Sequence, residues 1–159
     1  MHKTLKLRSD AFPAPFVQRR MVRFGDTDAA KIVYTVKFFD FAMDALDGWF
    51  AAVLDHDWYA LNTEYGVSCP FVQCGLDFKA PLRPGQEVAI EILVTRLGSS
   101  SLQFQIRGFR PDEVLSFTGR WTCVFVDPTS MQATAIPAVF AQRISAYIEA
   151  CGESEAVPV

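Results

Sequence analysis

The 159 residues carry a formal net charge of −3, and 50% of them are hydrophobic. This is one domain's worth of chain with enough apolar side chains for a buried core. No basic stripe marks a nucleic-acid surface, no apolar run approaches the roughly 20 residues that span a bilayer, and Lys3, Lys6 and Arg8 lead into no leader-like apolar stretch, so a soluble, cytoplasmic protein is expected.

Residues 1–15 are polar and end in Pro13 and Pro15, which reads as a mobile tail ahead of a single domain over 16–150. Phe16 to Phe24 reads as a first strand, and Gly25 to Tyr34 as a loop containing Asp26 and Asp28. From Val36 to Leu54 apolar residues recur at Phe39, Met43, Leu46, Phe50 and Val53, the spacing of a helix face. Thr35 stands where an N-cap belongs. Asp40, Asp44 and Asp47 form a separate stripe, which reads as a solvated face.

Residues 55–67 read as a connection with a helical turn near Trp58, and His56, between Asp55 and Asp57, as a surface residue. Pro70 to Phe78 is the next strand, closed by the turn Pro81-Leu82-Arg83-Pro84-Gly85. Val88, Ile90, Ile92 and Val94 alternate with polar neighbours, as do Leu102, Phe104 and Ile106 after the break at Gly98-Ser99-Ser100. Leu115, Phe117, Trp121, Cys123 and Phe125 share one face of a long strand after the turn at Arg110-Pro111-Asp112. A last amphipathic helix spans Pro137 to Ala150, with residues 151–159 as a tail. One long helix followed by antiparallel strands on short turns is an α+β pattern. Of the four cysteines, Cys69 and Cys74 lie close together but are too few for a four-ligand zinc site, Cys123 reads as a buried small hydrophobe, and His2 and His56 are the two histidines, so no metal and no cofactor is expected.

The chemistry concentrates between Phe24 and Thr35. Two carboxylates, Asp26 and Asp28, sit in a loop that feeds a helix N-terminus. The first amides of a helix lack intrahelical partners and carry partial positive charge, so a carbonyl held against them is polarised. A neighbouring carboxylate can then attack that carbonyl or activate water. Acidic residues before a helix also serve as ordinary turn and capping groups.

The run FGDTDAAKIVYTVKFFDF, Phe24 to Phe41, resembles the signature of hot-dog-fold acyl-CoA thioesterases of the 4-hydroxybenzoyl-CoA thioesterase type. Phe78-Lys79-Ala80-Pro81 and the Gly98-Ser99-Ser100 break fall where related chains have them, and the resemblance covers residues 16–127. It implies an antiparallel sheet wrapped around one long central helix. It implies Asp28, the second Asp of D-x-D, as nucleophile or general base, and the Thr35 backbone N–H as oxyanion donor. Tyr34 and Phe38 become candidate substrate contacts, and Arg96, Ser99 and Ser100 candidates by position for the CoA. It further implies a dimer or tetramer with the active site between subunits, and an acyl-CoA substrate whose CoA is no separate cofactor. The family usually has glycine where Lys31 stands, so this loop must accommodate a side chain that points to solvent or meets a CoA phosphate. A sister branch acting on short-chain acyl-CoAs carries Tyr before D-x-D and His at the helix start, where this chain has Phe24 and Thr35; that favours the aryl-CoA branch.

Two other functions fit the same fold. A hot-dog hydratase or dehydratase needs a histidine beside a carboxylate, and His56 is the one internal histidine. A non-catalytic acyl-CoA-binding module is the other, against which the retained Asp28 speaks. A helix carboxylate among Asp40, Asp44 and Asp47, or Glu64, is a further candidate by analogy with a different branch.

Overall fold

The computed structural model describes residues 1–152. Its strands are β1 (Phe16–Met21), β2 (Phe71–Phe78), β3 (Glu87–Leu97), β4 (Ser101–Phe109) and β5 (Leu115–Val124), paired antiparallel in the order β1-β3-β4-β5-β2. The alternation along the chain becomes the two faces of this sheet. Val88, Ile90 and Ile92 of β3, Leu102, Phe104 and Ile106 of β4, and Phe117, Trp121 and Cys123 of β5 are buried on the inner face. Register aligns them in rungs: Ile92 stands opposite Ile106, and Phe104 opposite Trp121.

The helix α1 (Lys37–Val53) fills the concave side of the sheet. Its buried face is Phe38, Phe41, Ala42, Ala45, Leu46, Trp49, Phe50 and Val53. Met43, expected on that face, is exposed instead, on the side of Asp40 and Asp44. The helix carries apolar residues on more than one stripe, so periodicity alone leaves its rotation open by about one residue. Trp49 packs edge-on against Phe104 at 5.0 Å and Tyr147 at 5.6 Å between ring centroids, so helix, sheet and C-terminal helix meet on one indole. This is the hot-dog architecture, a sheet curved around one long helix. No helix among the described residues is long and apolar enough to cross a membrane.

Two segments differ from the sequence expectation. Residues 1–15, read as a tail, lie along the body: Leu5, Leu7 and Phe12 pack against the core. The carboxylate of Asp55 accepts the Arg8 and Ser9 amides at 2.7 and 3.0 Å, and Arg143 on α3 (Ala138–Cys151) donates to the Ser9 and Asp10 carbonyls. His56, read as a surface residue, is 2% exposed; its Nε2 donates to the Lys6 carbonyl at 2.8 Å and its ring lies 4.5 Å from that of Tyr65. The same segment that covers the histidine provides its acceptor. The short helix α2 (Trp58–Glu64) starts on Asp57, whose carboxylate accepts the Ala60 amide. Helix α3 runs through Cys151, one residue into the expected C-terminal tail; residues 153–159 of that tail lie outside the described residues. Tyr147 ties α3 to the sheet: its hydroxyl donates to the Ile92 carbonyl and accepts the Phe16 amide.

Candidate active site

Strand β1 ends at Met21, before the expected Phe24, and a single 3-10 turn, Phe24–Asp26, follows it. The turn is closed by Asp26, whose carboxylate accepts the Arg23 amide at 2.8 Å while its amide donates to the Arg23 carbonyl at 3.0 Å. The turn leaves Phe24 90% exposed. Beyond it the chain doubles back. Thr27 bridges Val33, the Asp28 amide donates to the Ile32 carbonyl, and the Tyr34 amide returns to the Asp26 carbonyl at 2.9 Å. The Val33 amide donates to the Leu82 carbonyl, fixing this loop to the turn before β3.

The two carboxylates have different environments. Asp26 is 5% exposed and ion-paired with Arg20. Asp28 is exposed at the loop's tip and joins no ion pair among the described residues; one of its oxygens accepts the Ala30 amide at 2.8 Å, an Asx turn that orients the carboxylate. A buried, paired carboxylate is a structural group, whereas an exposed one with a spare oxygen can reach a ligand. Lys31 has φ of 63°, in the left-handed region, and its amide donates to the Asp28 carbonyl.

The loop runs into α1 through a turn in which the Lys37 amide donates to the Tyr34 carbonyl and the Phe38 amide to the Thr35 carbonyl. Thr35 does not cap the helix with its side chain, as the sequence suggested; Val36 occupies the cap position and no side-chain cap bond forms. The Thr35 and Val36 amides donate to no protein acceptor among the described residues. They are the unpaired helix-start donors that an oxyanion requires.

Beside this helix start lies a cleft of about 300 Å³ lined by Ile32, Val33, Thr35, Phe38, Phe78, Lys79, Ala80 and Pro81. Its floor is aromatic. Phe38, 5% exposed, lies 5.0 Å from the Phe78 ring and 5.2 Å from the Phe117 ring. Thr35 and Phe38 are thus brought together, with Asp28 on the adjoining loop. Tyr34 is half exposed beside them and does not line the cleft. Phe78 and Lys79 join the site from the end of β2; in the sequence their one signal was the Phe-Lys-Ala-Pro run.

Arg96, Ser99 and Ser100 are not brought to this cleft within one chain. Met21 pairs with Glu87, so the Asp28 loop leaves the sheet where β3 begins, whereas Arg96 and the following turn lie at the other end of β3. At about 3.3 Å per residue that separation is on the order of 30 Å. Asp40 and Asp44 are exposed, as expected of the helix stripe, but each is paired, with Lys37 and Arg20, and Asp47 accepts the Trp58 amide. A second concavity, about 710 Å³, lies on the outer face of the sheet over Gln73, Asp77, Gln103, Gln105 and Arg120, away from the Asp28 loop.

Residues 22–144 match the model of the thioesterase-like superfamily. The chain is 26% identical over 140 residues to a 1,4-dihydroxy-2-naphthoyl-CoA hydrolase of Prochlorococcus marinus (strain MIT 9303), covering 84% of this chain and 89% of that one. It is 33% identical to a thioesterase-superfamily structure from Jannaschia sp. CCS1, with a TM-score of 0.79 over 91% of this chain and 99% of that one. A 1,4-dihydroxy-2-naphthoyl-CoA thioesterase from Synechocystis shares the fold at 18% identity, with a TM-score of 0.77 over 83% and 96% of the two chains.

Proposed function

The chain belongs to the thioesterase-like superfamily, and on that premise we propose that it hydrolyses an acyl-CoA, R-CO-S-CoA plus water giving the free acid and CoA. The observation that carries this reading is the exposed Asp28 carboxylate, in no ion pair among the described residues, on a loop that leads directly to two helix-start amides with no acceptor among those residues, beside an aromatic cleft. The thioester carbon is attacked either by the Asp28 carboxylate or by a water whose proton Asp28 takes. The carbonyl oxygen gains negative charge as the new bond forms, and the Thr35 amide stabilises it. Collapse of that adduct breaks the C–S bond and releases CoA as the thiol once protonated; where water attacks, the free acid forms in the same step, and where Asp28 attacks, water then cleaves the acyl-Asp28 anhydride to the free acid and the regenerated carboxylate.

Phe38 and Phe78 supply a flat apolar surface for the acyl group, which favours an aromatic or bulky acyl over a short one. The relatives named 1,4-dihydroxy-2-naphthoyl-CoA hydrolases act on a fused aromatic acyl, in keeping with this preference. The reading needs no cofactor, since CoA arrives with the substrate. We further propose self-association as a dimer or tetramer. That would let Arg96, Ser99 and Ser100 of one copy meet the CoA held by another, a reach they lack within one chain.

The hydratase reading is weaker, because His56 lies beyond the C-terminal end of α1 whereas Asp28 precedes its N-terminal end. A helix of 17 residues is about 25 Å long. The test is CoA release from a panel of aromatic, short-chain and long-chain acyl-CoAs, with wild type and Asp28→Asn side by side. Wild type should turn over at least one member, and the variant should lose on the order of a hundredfold or more in kcat. Equal activity of the two would reduce Asp28 to a turn residue. Binding without turnover across the panel would support a non-catalytic acyl-CoA-binding module instead.

A further inference from the structure

Asp26 and Asp28 differ in what holds them, and the difference runs through Arg20. This arginine, on β1, has its guanidinium over the Phe41 ring, with the carbon 4.1 Å from the ring centroid. One terminal nitrogen donates to Asp26 at 3.1 Å and the other to Asp44 on α1 at 3.0 Å. Phe41 is itself on the buried face of α1. A single planar cation therefore touches the loop that carries Asp28 and two successive turns of the helix whose start presents the Thr35 amide. Asp26 is also where both ends of the loop meet, since its carboxylate takes Arg20 and its carbonyl takes the Tyr34 amide.

We propose that Arg20 is a positioning residue for thioester hydrolysis, holding the Asp28 loop in register with the helix start through Asp26 on one side and Asp44 on the other. The inference rests on the reading of Asp28 and Thr35 given above. Asp28 approaches the thioester carbon while the Thr35 amide receives the carbonyl oxygen, so the two must keep a fixed separation. A displacement of about 1 Å between such groups costs on the order of a hundredfold in rate. Where the loop joins α1, the Lys37 amide donates to the Tyr34 carbonyl; the bonds nearer Asp28 are internal to the loop or run from Val33 to Leu82 on the turn before β3, so Arg20 supplies the side-chain tie between the Asp26 end of the loop and α1. Arginine suits this role because its planar fork makes two directed bonds at once and its face stacks on an aromatic ring; a lysine ammonium offers one point of charge. The buried Arg20 Nε has no hydrogen-bond partner among the described residues, so the side chain is held by its two carboxylates and the ring.

The experiment compares wild type, Arg20→Gln, Arg20→Lys and Asp44→Ala for kcat and KM on the best acyl-CoA of the panel, with a thermal melt for each. Arg20→Gln should lose about tenfold to a hundredfold in kcat with KM within about twofold, and Arg20→Lys should recover part of the loss. A merely structural arginine would lower the melting temperature and leave kcat unchanged below it, and that result for a folded Arg20→Gln overturns the proposal. Should Arg20→Gln fail to fold, Asp44→Ala decides. Its carboxylate is 57% exposed, so it removes one anchor without opening the core. A fall in kcat of about threefold to tenfold supports the proposal, and an unchanged kcat overturns it. A wild type silent on the whole panel, or an Asp28→Asn variant as active as wild type, fells the thioesterase reading and this inference with it. An Asp28-dependent wild type whose Arg20 variants keep full kcat fells this inference alone.

Discussion

Replacing Lys31 with glycine should stabilise the protein, although it removes a charged side chain from an exposed loop. Lys31 has φ of 63°. The left-handed region costs a residue with a Cβ about 1–2 kcal/mol. Glycine escapes that cost but gives back about 0.4–1 kcal/mol through the greater freedom of the unfolded chain. The bond from the residue-31 amide to the Asp28 carbonyl survives, and the lysine side chain is exposed. The net expectation is a gain of about 0.5–1 kcal/mol, a rise of about 1–4 °C in melting temperature for a domain of this size. Differential scanning calorimetry of the two proteins at equal concentration reads it directly. Lys31→Asn should fall between them, because asparagine tolerates the left-handed region better than lysine. A lower melting temperature for Lys31→Gly would refute the reasoning, and would mean that the lysine makes a contact worth more than the backbone strain.

His56→Ala should lose about 2–3 kcal/mol of stability, because it empties a buried site and removes the bond to the Lys6 carbonyl. Its thioesterase activity at 25 °C should stay within about twofold of wild type, since the ring lies at the far end of α1; a large loss of kcat in a folded variant would revive the hydratase reading. Gly108→Ala would place a Cβ 2.1 Å from the Phe117 ring, which backs Phe38 at the cleft floor. Overpacking of about 1–3 kcal/mol should follow, and KM should rise more for the bulkiest acyl group than for the shortest. Equal effects on both substrates would mean that the cleft does not hold the acyl group.

The sheet was legible in the sequence where one face is buried and the other polar, as in β3, β4 and β5, because alternation needs only neighbours two residues apart. The rotation of α1 was not, because Phe38, Phe39 and Phe41 crowd more than one stripe and the sheet alone selects among them. The end of β1 was hidden for a different reason. Val22, Arg23 and Phe24 continue a strand-like pattern, and it is the Asp26 carboxylate, taking the Arg23 amide, that turns the chain. The acidic pair and its helix start were legible as a candidate site, but the difference in burial and pairing between Asp26 and Asp28 was not, because Arg20 meets Asp26 only once β1 has paired. Leu5, Leu7, Phe12 and His56 escaped because their partners are distant in sequence and follow no period. Arg96, Ser99 and Ser100 were named by position along the chain, and one copy of the sheet does not bring them near the Asp28 loop.

The docking of residues 5–12 has a consequence for synthesis. Arg143 and Ser9 are 134 residues apart. At about 5–20 residues per second a ribosome exposes the arginine on the order of ten seconds after the serine. Throughout that interval Phe12 has neither the Arg143 guanidinium nor the Tyr147 ring of α3 to lie against, and it stays open to chaperones and to other nascent chains. Phe12 is thus made early and seated late, and the yield of folded protein should depend on how well the cell shields that ring until the final helix emerges.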